Sequence, residues 1–332
     1  MRIALLGAGA WGCALAQHAA LRHPVALWTR DPGIARTISN QHANPRYLPG
    51  VELRTSITAS AQLAEVLDWL DAAPDALMVV ATTVAGLRPT LQAVHALRAA
   101  PALLWLCKGI ERSTDLLPHQ VVESIMPRAA RGALLGPSFA QEVAAGLPVA
   151  LTVASTDERL AGLCIEAFHF GAARIYRSDD LLGVELGGAL KNVVAVATGI
   201  CDGLQLGLNA RAALVTRGLA EMTRLGVAMG ASAETFTGLT GLGDLVLTCT
   251  GELSRNRRVG LELAAGRKLP DVLAALGHVA EGVACAAAAQ ALGRRFQVEL
   301  PIVDAVVAVL EGGSSPREAV GALLARGPRR EH

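Results

Sequence analysis

The sequence predicts an α/β chain in which a doubly wound, mostly parallel sheet is followed by an all-α half. Short apolar runs alternate with helix-forming stretches through the first half, the order that parallel strands and crossover helices require. Beyond about Ser178 the valine-rich runs stop and long segments of helical spacing replace them. A glycine-rich turn also follows the first apolar run directly, as it does where a strand hands over to a helix at a ligand.

In chain order, Arg2–Leu6 reads as a strand, "GAGAWG" as a turn, "CALAQHAALR" as a helix and "PVALWTR" as the second strand. Further strands follow at "DALMVVAT", "ALLWLCKGI", "GALLGPSF", "PVALTVAS" and "ARIYRS", with helices at Leu116–Met126 and Asp157–Phe168 between them. Helices then start near Asp180, Asn209, Leu253, Val272 and Val303. We expect a dinucleotide-binding domain over 1–178, a helical substrate and catalytic domain over 179–326 and a disordered basic tail over 327–332. A hydrophobic content of 52% over 332 residues suffices for two cores.

The charge balance is nearly even, 30 Lys+Arg against 29 Asp+Glu, and no basic stripe is interleaved with aromatics. That argues against nucleic acid as a partner and for a small molecule. Six scattered cysteines without a C-x-x-C pair read as reduced, packed thiols, and with them we expect the cytoplasm. No signal-peptide pattern follows Met1, no apolar stretch comes near the ~20 residues of a membrane span, and the eight histidines lack metal-ligand spacing, so neither a transmembrane segment nor a metal is expected. Oligomeric state is not legible, which leaves a homodimer open.

"GAGAWG" sets Gly7, Gly9 and Gly12 in the G-x-G-x-x-G pattern of a Rossmann dinucleotide fold. The first glycine permits the tight turn, the second lets a pyrophosphate approach the backbone, and the third lets helix pack on strand. The second strand ends "WTRD". Arg30 there favours the 2′-phosphate of NADP through forked, charge-assisted bonds, whereas Asp31 either caps the next helix or accepts a ribose 2′-OH; NADP is preferred without excluding NAD.

One lysine stands out. "ELGGALKNVVAVATG" puts Lys191 in a run that reads like protein interior, where a charge needs a partner. Only Lys108, Lys191 and Lys268 are lysines in a chain that otherwise uses arginine.

Three segments combine glycine with polar side chains: "GPSFAQEVA" from Gly136, "LTGLGDLVLTCTGELSRNRR" from Leu239, and "ELGGALKNV". With "NPRYLPG" at Asn44, "CKGIE" at Cys107 and "EG" at Glu281, the chain resembles bacterial-type NAD(P)-dependent glycerol-3-phosphate dehydrogenases from Met1 to about Ala325. The resemblance implies reduction of dihydroxyacetone phosphate to sn-glycerol 3-phosphate, the backbone precursor of phospholipids. It also implies that Ala10, Trp11, Arg30, Tyr47, Lys108 and Ala140 contact the cofactor, joined from the helical domain by Val279 and Glu281. The substrate set it implies is Lys108, Gly136, Ser138, Lys191, Asp244, Ser254, Arg255 and Asn256, with Lys191 at the position of the proton-transfer residue and Arg255 touching both ligands. The alanine-rich "VACAAAAQALG" after Gly282 departs from the polar residues expected there.

The chemistry fits these residue types. Hydride delivery to a ketone creates an alkoxide, which needs a proton donor and positive charge beside it. Lys191 supplies both if a carboxylate such as Asp244 retains its charge, and Lys108, after a strand, stands at the end of the sheet where ligands bind. Thr248 shares the face of Asp244 if the stretch is helical. Ser254, Arg255 and Asn256 offer a hydroxyl, a fork and an amide to a phosphate in one turn. The blander readings make Lys191 a structural partner of Glu185, Asp244 a helix cap, Thr248 a packing residue, and Arg257 and Arg258 solvated. Two other functions compete: a reductase of a hydroxy or keto acid, which lacks the phosphate anchor, and a catalytically silent nucleotide sensor, which has no need of the lysines.

Overall fold

The structure is a computed structural model and describes residues 1–98, 102–277 and 279–327. Of the expected tail, everything from residue 328 onward lies outside the described residues. The strands are β1 (Arg2–Leu6), β2 (Val25–Trp28), β3 (Ala43–Asn44), β4 (Leu48–Glu52), β5 (Ile57–Ser60), β6 (Ala76–Val80), β7 (Leu103–Trp105), β8 (Arg131–Leu135), β9 (Val149–Ala154) and β10 (Ala173–Ser178). Eight form one sheet in the order β10-β9-β8-β7-β6-β1-β2-β5, while β3 and β4 make a separate antiparallel ribbon. All pairings in the large sheet are parallel except β8 with β9. The winding reverses between β1 and β6, and in such sheets ligands bind outside the carboxyl ends of the strands at that point.

Both faces of this sheet are covered, which is why its strands read as unbroken apolar runs. Ile3 and Leu5 point to one side, where Val25, Leu27, Leu77 and Val79 join them under the helices Ala10–Ala19 and Glu158–Phe168. Ala4 and Leu6 point to the other, with Met78, Val80 and Trp105, under Val84–Leu97 and Pro118–Ile125. The period of two along each strand therefore feeds two cores. Each fully buried leucine or valine contributes roughly 1.5–3 kcal/mol.

The chain divides into two compact units, Met1–Lys108 with Leu116–Glu185, and Gly109–Asp115 with the residues from Leu186 onward. From Leu181 the described residues form helices only: Leu181–Gly203, Leu208–Met229, Ala233–Thr237, Asp244–Thr250, Arg255–Ala264, Leu269–Leu276, Glu281–Arg295, Pro301–Leu310 and Pro316–Leu324, with a π-turn at Leu239–Gly243. The helix Leu181–Gly203, whose start is capped by Asp180 Oδ1 accepting from the Gly183 N–H at 2.8 Å, is 23 residues long. By length and mean hydropathy (1.4) it is apolar enough to cross a membrane, contrary to the sequence expectation that no stretch qualifies. Yet its apolar window is 89% buried within the protein, and it carries Glu185 and Lys191, so its hydropathy is that of a core element. In the second unit this helix crosses Arg255–Ala264 at two glycines: a Cβ on Gly199 would lie 2.0 Å from the Arg257 oxygen, and one on Gly260 would lie 2.1 Å from the Val196 oxygen. The close approach sets the "SRN" segment beside the helix that carries Lys191.

One buried carboxylate in the second unit has a structural task. The helix Pro301–Leu310 has no cap from its own flank, and Glu221 of Leu208–Met229 takes the place: Oε1 accepts from the Ile302 N–H at 2.9 Å and Oε2 from that of Val303 at 3.4 Å. Glu221 is 4% exposed, and burial raises its pKa to about 7 against these hydrogen bonds. The folded protein thus keeps a proton that the unfolded chain releases near 4.5, so this contribution to stability is full below pH 4.5 and is lost as pH rises through about 7. Glu221→Gln is expected to flatten the fall in unfolding free energy between about pH 5 and 7, measured by urea titration at several pH values; a fall as steep as in the parent would show that other groups cause it.

Candidate active site

In the first unit the glycine loop is built as its sequence pattern requires. Gly7 has φ +134°, and a Cβ there would lie 2.5 Å from the Ala81 oxygen; one on Gly12 would lie 2.0 Å from the Gly7 oxygen. A Cβ on Gly9, in contrast, would meet nothing within 4 Å. Two glycines are consumed by packing and the middle one leaves a space. No side chain caps the helix Ala10–Ala19, whose first turn (Ala10, Trp11, Gly12) opens on that space. The arrangement fits a dinucleotide pyrophosphate received by backbone N–H groups.

At the end of β2 the two polar neighbours divide. Asp31 caps Pro32–Gln41, its Oδ1 accepting from Gly33 at 2.8 Å and Ile34 at 3.3 Å, and Arg30 is exposed. Of the two readings of Asp31, the structure shows the cap. Tyr47 is half-buried in the turn between β3 and β4. Past the ends of β7 and β8 the structure brings Lys108, Gly136 and Ser138 together: Lys108 Nζ donates to the Gly136 oxygen at 2.8 Å and Ser138 Oγ to the same oxygen at 3.1 Å. Ala140 opens the next helix, Ala140–Ala144.

In the second unit Lys191 is 5% exposed and faces Asp244, 1% exposed, in a direct ion pair between Nζ and Oδ1. Nζ also donates to Thr248 Oγ1 at 2.8 Å, and the Thr248 hydroxyl donates to the Asp244 backbone oxygen at 2.6 Å. A hydroxyl has one proton to give. Thr248 spends its own on holding this cluster together. Glu185, the structural partner that sequence alone suggested for Lys191, belongs to the first unit and takes His119 of that same unit instead: Oε1 accepts from the His119 N–H at 2.9 Å and Oε2 contacts Nδ1. Contact with the Glu185 carboxylate holds the His119 pKa above its usual value although burial lowers it.

The "SRN" residues take three different tasks. Ser254 caps Arg255–Ala264, its Oγ accepting from the Arg257 N–H at 3.3 Å. Asn256, buried, donates from Nδ2 to Asn192 Oδ1 at 2.9 Å and accepts the Gly282 N–H at 2.9 Å, leaving one amide N–H. Arg255 keeps an exposed surface; the surrounding protein nevertheless lowers its pKa by desolvation, opposed by the charge of Glu281. Glu281 opens the helix Glu281–Arg295, and Val279 before it is 48% exposed. Sequence reasoning missed Asn192, which accepts from Asn256, and misread Arg257, which is not solvated but ion-paired to Asp202 at 2.7 Å. Among the described residues no group of three or more His, Cys, Asp or Glu is placed to hold a metal ion.

These features agree with comparisons to known proteins. Residues 2–161 match the family model for the N-terminus of NAD-dependent glycerol-3-phosphate dehydrogenase and residues 180–321 that for its C-terminus. The crystal structure of a glycerol-3-phosphate dehydrogenase from Coxiella burnetii is 38% identical, with a TM-score of 0.93 over 98% of this chain and 99% of that one. Glycerol-3-phosphate dehydrogenase from Saccharomyces cerevisiae is 23% identical, with a TM-score of 0.81 over 97% and 98%, and shares the fold. A probable 2-dehydropantoate 2-reductase from Bacillus subtilis matches more loosely, at 15% identity and a TM-score of 0.58 over 95% and 100%.

Proposed function

The chain belongs to the NAD-dependent glycerol-3-phosphate dehydrogenase family, and from that premise we propose how its residues divide the reaction and which nicotinamide it prefers. The enzyme reduces dihydroxyacetone phosphate to glycerol 3-phosphate with a nicotinamide cofactor, which supplies the hydride when bound. The buried Lys191–Asp244–Thr248 cluster carries the assignment of roles.

As the carbonyl carbon is reduced, negative charge gathers on its oxygen, and Lys191 meets it with an ammonium and a transferable proton at Nζ. Asp244 keeps that nitrogen charged in a buried place, and Thr248 fixes its position. Lys108, tethered to the Gly136 oxygen, adds a second cation for the substrate, with Ser138 on the same carbonyl. Arg255 is the phosphate anchor; Ser254 and Asn256 place it, and Asn256 keeps one N–H for the ligand. Binding energy from the phosphate orients the ketone for hydride transfer. In the first unit Gly7, Gly9 and Gly12 receive the pyrophosphate with the first turn at Ala10 and Trp11, while Tyr47 and Ala140 are further cofactor contacts.

NADPH is the preferred reductant, because Asp31 is occupied as a cap and Arg30 is exposed at the position that meets the ribose. The product feeds glycerophospholipid synthesis, and the enzyme works in the cytoplasm, as a homodimer or alone. Initial rates with dihydroxyacetone phosphate and either NADPH or NADH test the preference: NADPH is expected to show the higher kcat/KM. Arg30→Ala is expected to raise KM for NADPH roughly 10- to 100-fold, the worth of a charged hydrogen bond, with little change for NADH. An equal effect on both cofactors would reduce Arg30 to a packing residue.

A further inference from the structure

Beside Arg30 the structure holds a second guanidinium to which neither the glycine motif nor the end of β2 points. Arg46 lies in the turn between β3 and β4, and its Nη1 stands 3.5 Å from Asp31 Oδ2. Both carboxylate oxygens of Asp31 are thereby engaged: Oδ1 takes the N–H groups of Gly33 and Ile34, and Oδ2 faces Arg46. An acid so occupied is poorly placed to accept a ribose 2′-OH.

The turn that carries Arg46 is fixed to the cofactor loop itself. Asn44, 1% exposed, donates from Nδ2 to the Ala8 oxygen at 2.8 Å and to Cys13 Sγ at 3.3 Å, and its Oδ1 accepts the Tyr47 N–H at 3.3 Å. Ala8 sits between Gly7 and Gly9, and Cys13 is on the helix those glycines open. One buried amide thus ties the glycine loop to the Arg46–Tyr47 turn. Above this rigid base the Arg46 side chain is 64% exposed, with its guanidinium 5.2 Å from the centre of the Tyr47 ring.

We propose that Arg46 is the second determinant of 2′-phosphate recognition, held by Asp31 in the free protein and passed to the phosphate when NADPH binds. The inference rests on the NADP preference argued above and adds the residue, its tether and its exchange of partners. Exposed ion pairs are weak and readily given up. A phosphate offers more negative charge and several acceptor oxygens to a forked donor, so the exchange runs toward the ligand. Asp31 then serves as cap and as tether, and its negative charge is the residual cost of keeping Arg46 in place.

Calorimetric titration of the full chain with adenosine 2′,5′-bisphosphate and with adenosine 5′-monophosphate, which differ only in the 2′-phosphate, tests this without turnover. The unmodified protein is expected to bind the bisphosphate more tightly. Arg46→Ala should weaken the bisphosphate about tenfold and leave the monophosphate unchanged. Asp31→Asn keeps an oxygen for the helix cap while removing the competing charge, and should bind the bisphosphate more tightly than the parent does. Thermal unfolding of each variant separates a lost contact from a lost fold. If the unmodified protein does not distinguish the two ligands, the NADP reading itself fails. If it does distinguish them and Arg30→Ala abolishes the difference while Arg46→Ala leaves it intact, only the role of Arg46 is overturned. Weaker or unchanged bisphosphate binding by Asp31→Asn overturns the exchange of partners.

Discussion

Lys191→Met is expected to lower kcat for dihydroxyacetone phosphate reduction by at least the ~10²-fold typical of a positioned acid, and to lower the melting temperature as well. From sequence alone the removal of this ammonium, as in Lys191→Ala, reads as harmful to the reaction rather than to the fold, because a desolvated charge leaves an apolar run. The structure changes that expectation. Lys191 is paired with a carboxylate that is 1% exposed, and withdrawing the cation from Asp244 costs on the order of 3–5 kcal/mol, as for buried ion pairs broken from one side. A loss of activity in the single variant is therefore ambiguous by itself. The double variant Lys191→Met, Asp244→Leu replaces both charges by apolar groups, an exchange that is often neutral or stabilising. Its melting temperature should return toward that of the parent while single-turnover hydride transfer stays slow. Recovery of transfer together with the melting temperature would make the pair a structural element and remove Lys191 from the chemistry. Lys191→Arg should also transfer slowly, because a guanidinium keeps its proton at neutral pH.

The parts of this molecule that were legible in its sequence are those with short-range physical causes. The runs at β1, β6 and β9 are buried on both sides, so composition alone marks them. Gly7, Gly9 and Gly12 are legible because a turn against a strand forbids a side chain at two of the three places. The edge strand β5 escapes notice: of "ITAS" only Ile57 is buried, and so short a strand with one buried residue has no readable period. The membrane-like length of Leu181–Gly203 also escapes, since Glu185 and Lys191 break the apolar run while mean hydropathy averages over them. Site geometry was legible by residue type and less so by partner. A buried lysine must have a carboxylate, but whether it is Glu185 or Asp244 depends on residues far apart in the chain: His119 claims the first, and the second begins a helix after a π-turn. Asn44 and Asn192 give no local signal, because an amide that holds two distant segments looks like any other loop or helix asparagine.

The three glycines of the cofactor loop should give separable results, and the separation is the sharpest check that this loop holds a dinucleotide. Gly12→Ala places a methyl 2.0 Å from the Gly7 oxygen, and that neighbour is backbone, which cannot give way cheaply. Overpacking of this kind costs about 1–3 kcal/mol or more, so the variant should lose melting temperature and cofactor binding together. Gly7→Ala meets the Ala81 oxygen at 2.5 Å and must also adopt φ +134°, a conformation that only glycine takes readily, so it should behave in the same way. Gly9→Ala is the informative one. Its methyl meets nothing within 4 Å in the free protein, and the residue is extended, with φ −75° and ψ 178°, so the fold should be untouched. The methyl would, however, fill the space through which a pyrophosphate reaches the first turn of Ala10–Ala19. Fluorescence titration with NADPH should then show a dissociation constant raised by roughly 10- to 100-fold, the equivalent of the same 1–3 kcal/mol of steric cost, at an unchanged melting temperature. Binding by Gly9→Ala equal to that of the parent would place the pyrophosphate away from this loop, and a fall in its melting temperature as large as that of Gly12→Ala would show that the open space beside Gly9 is needed for folding rather than for the cofactor.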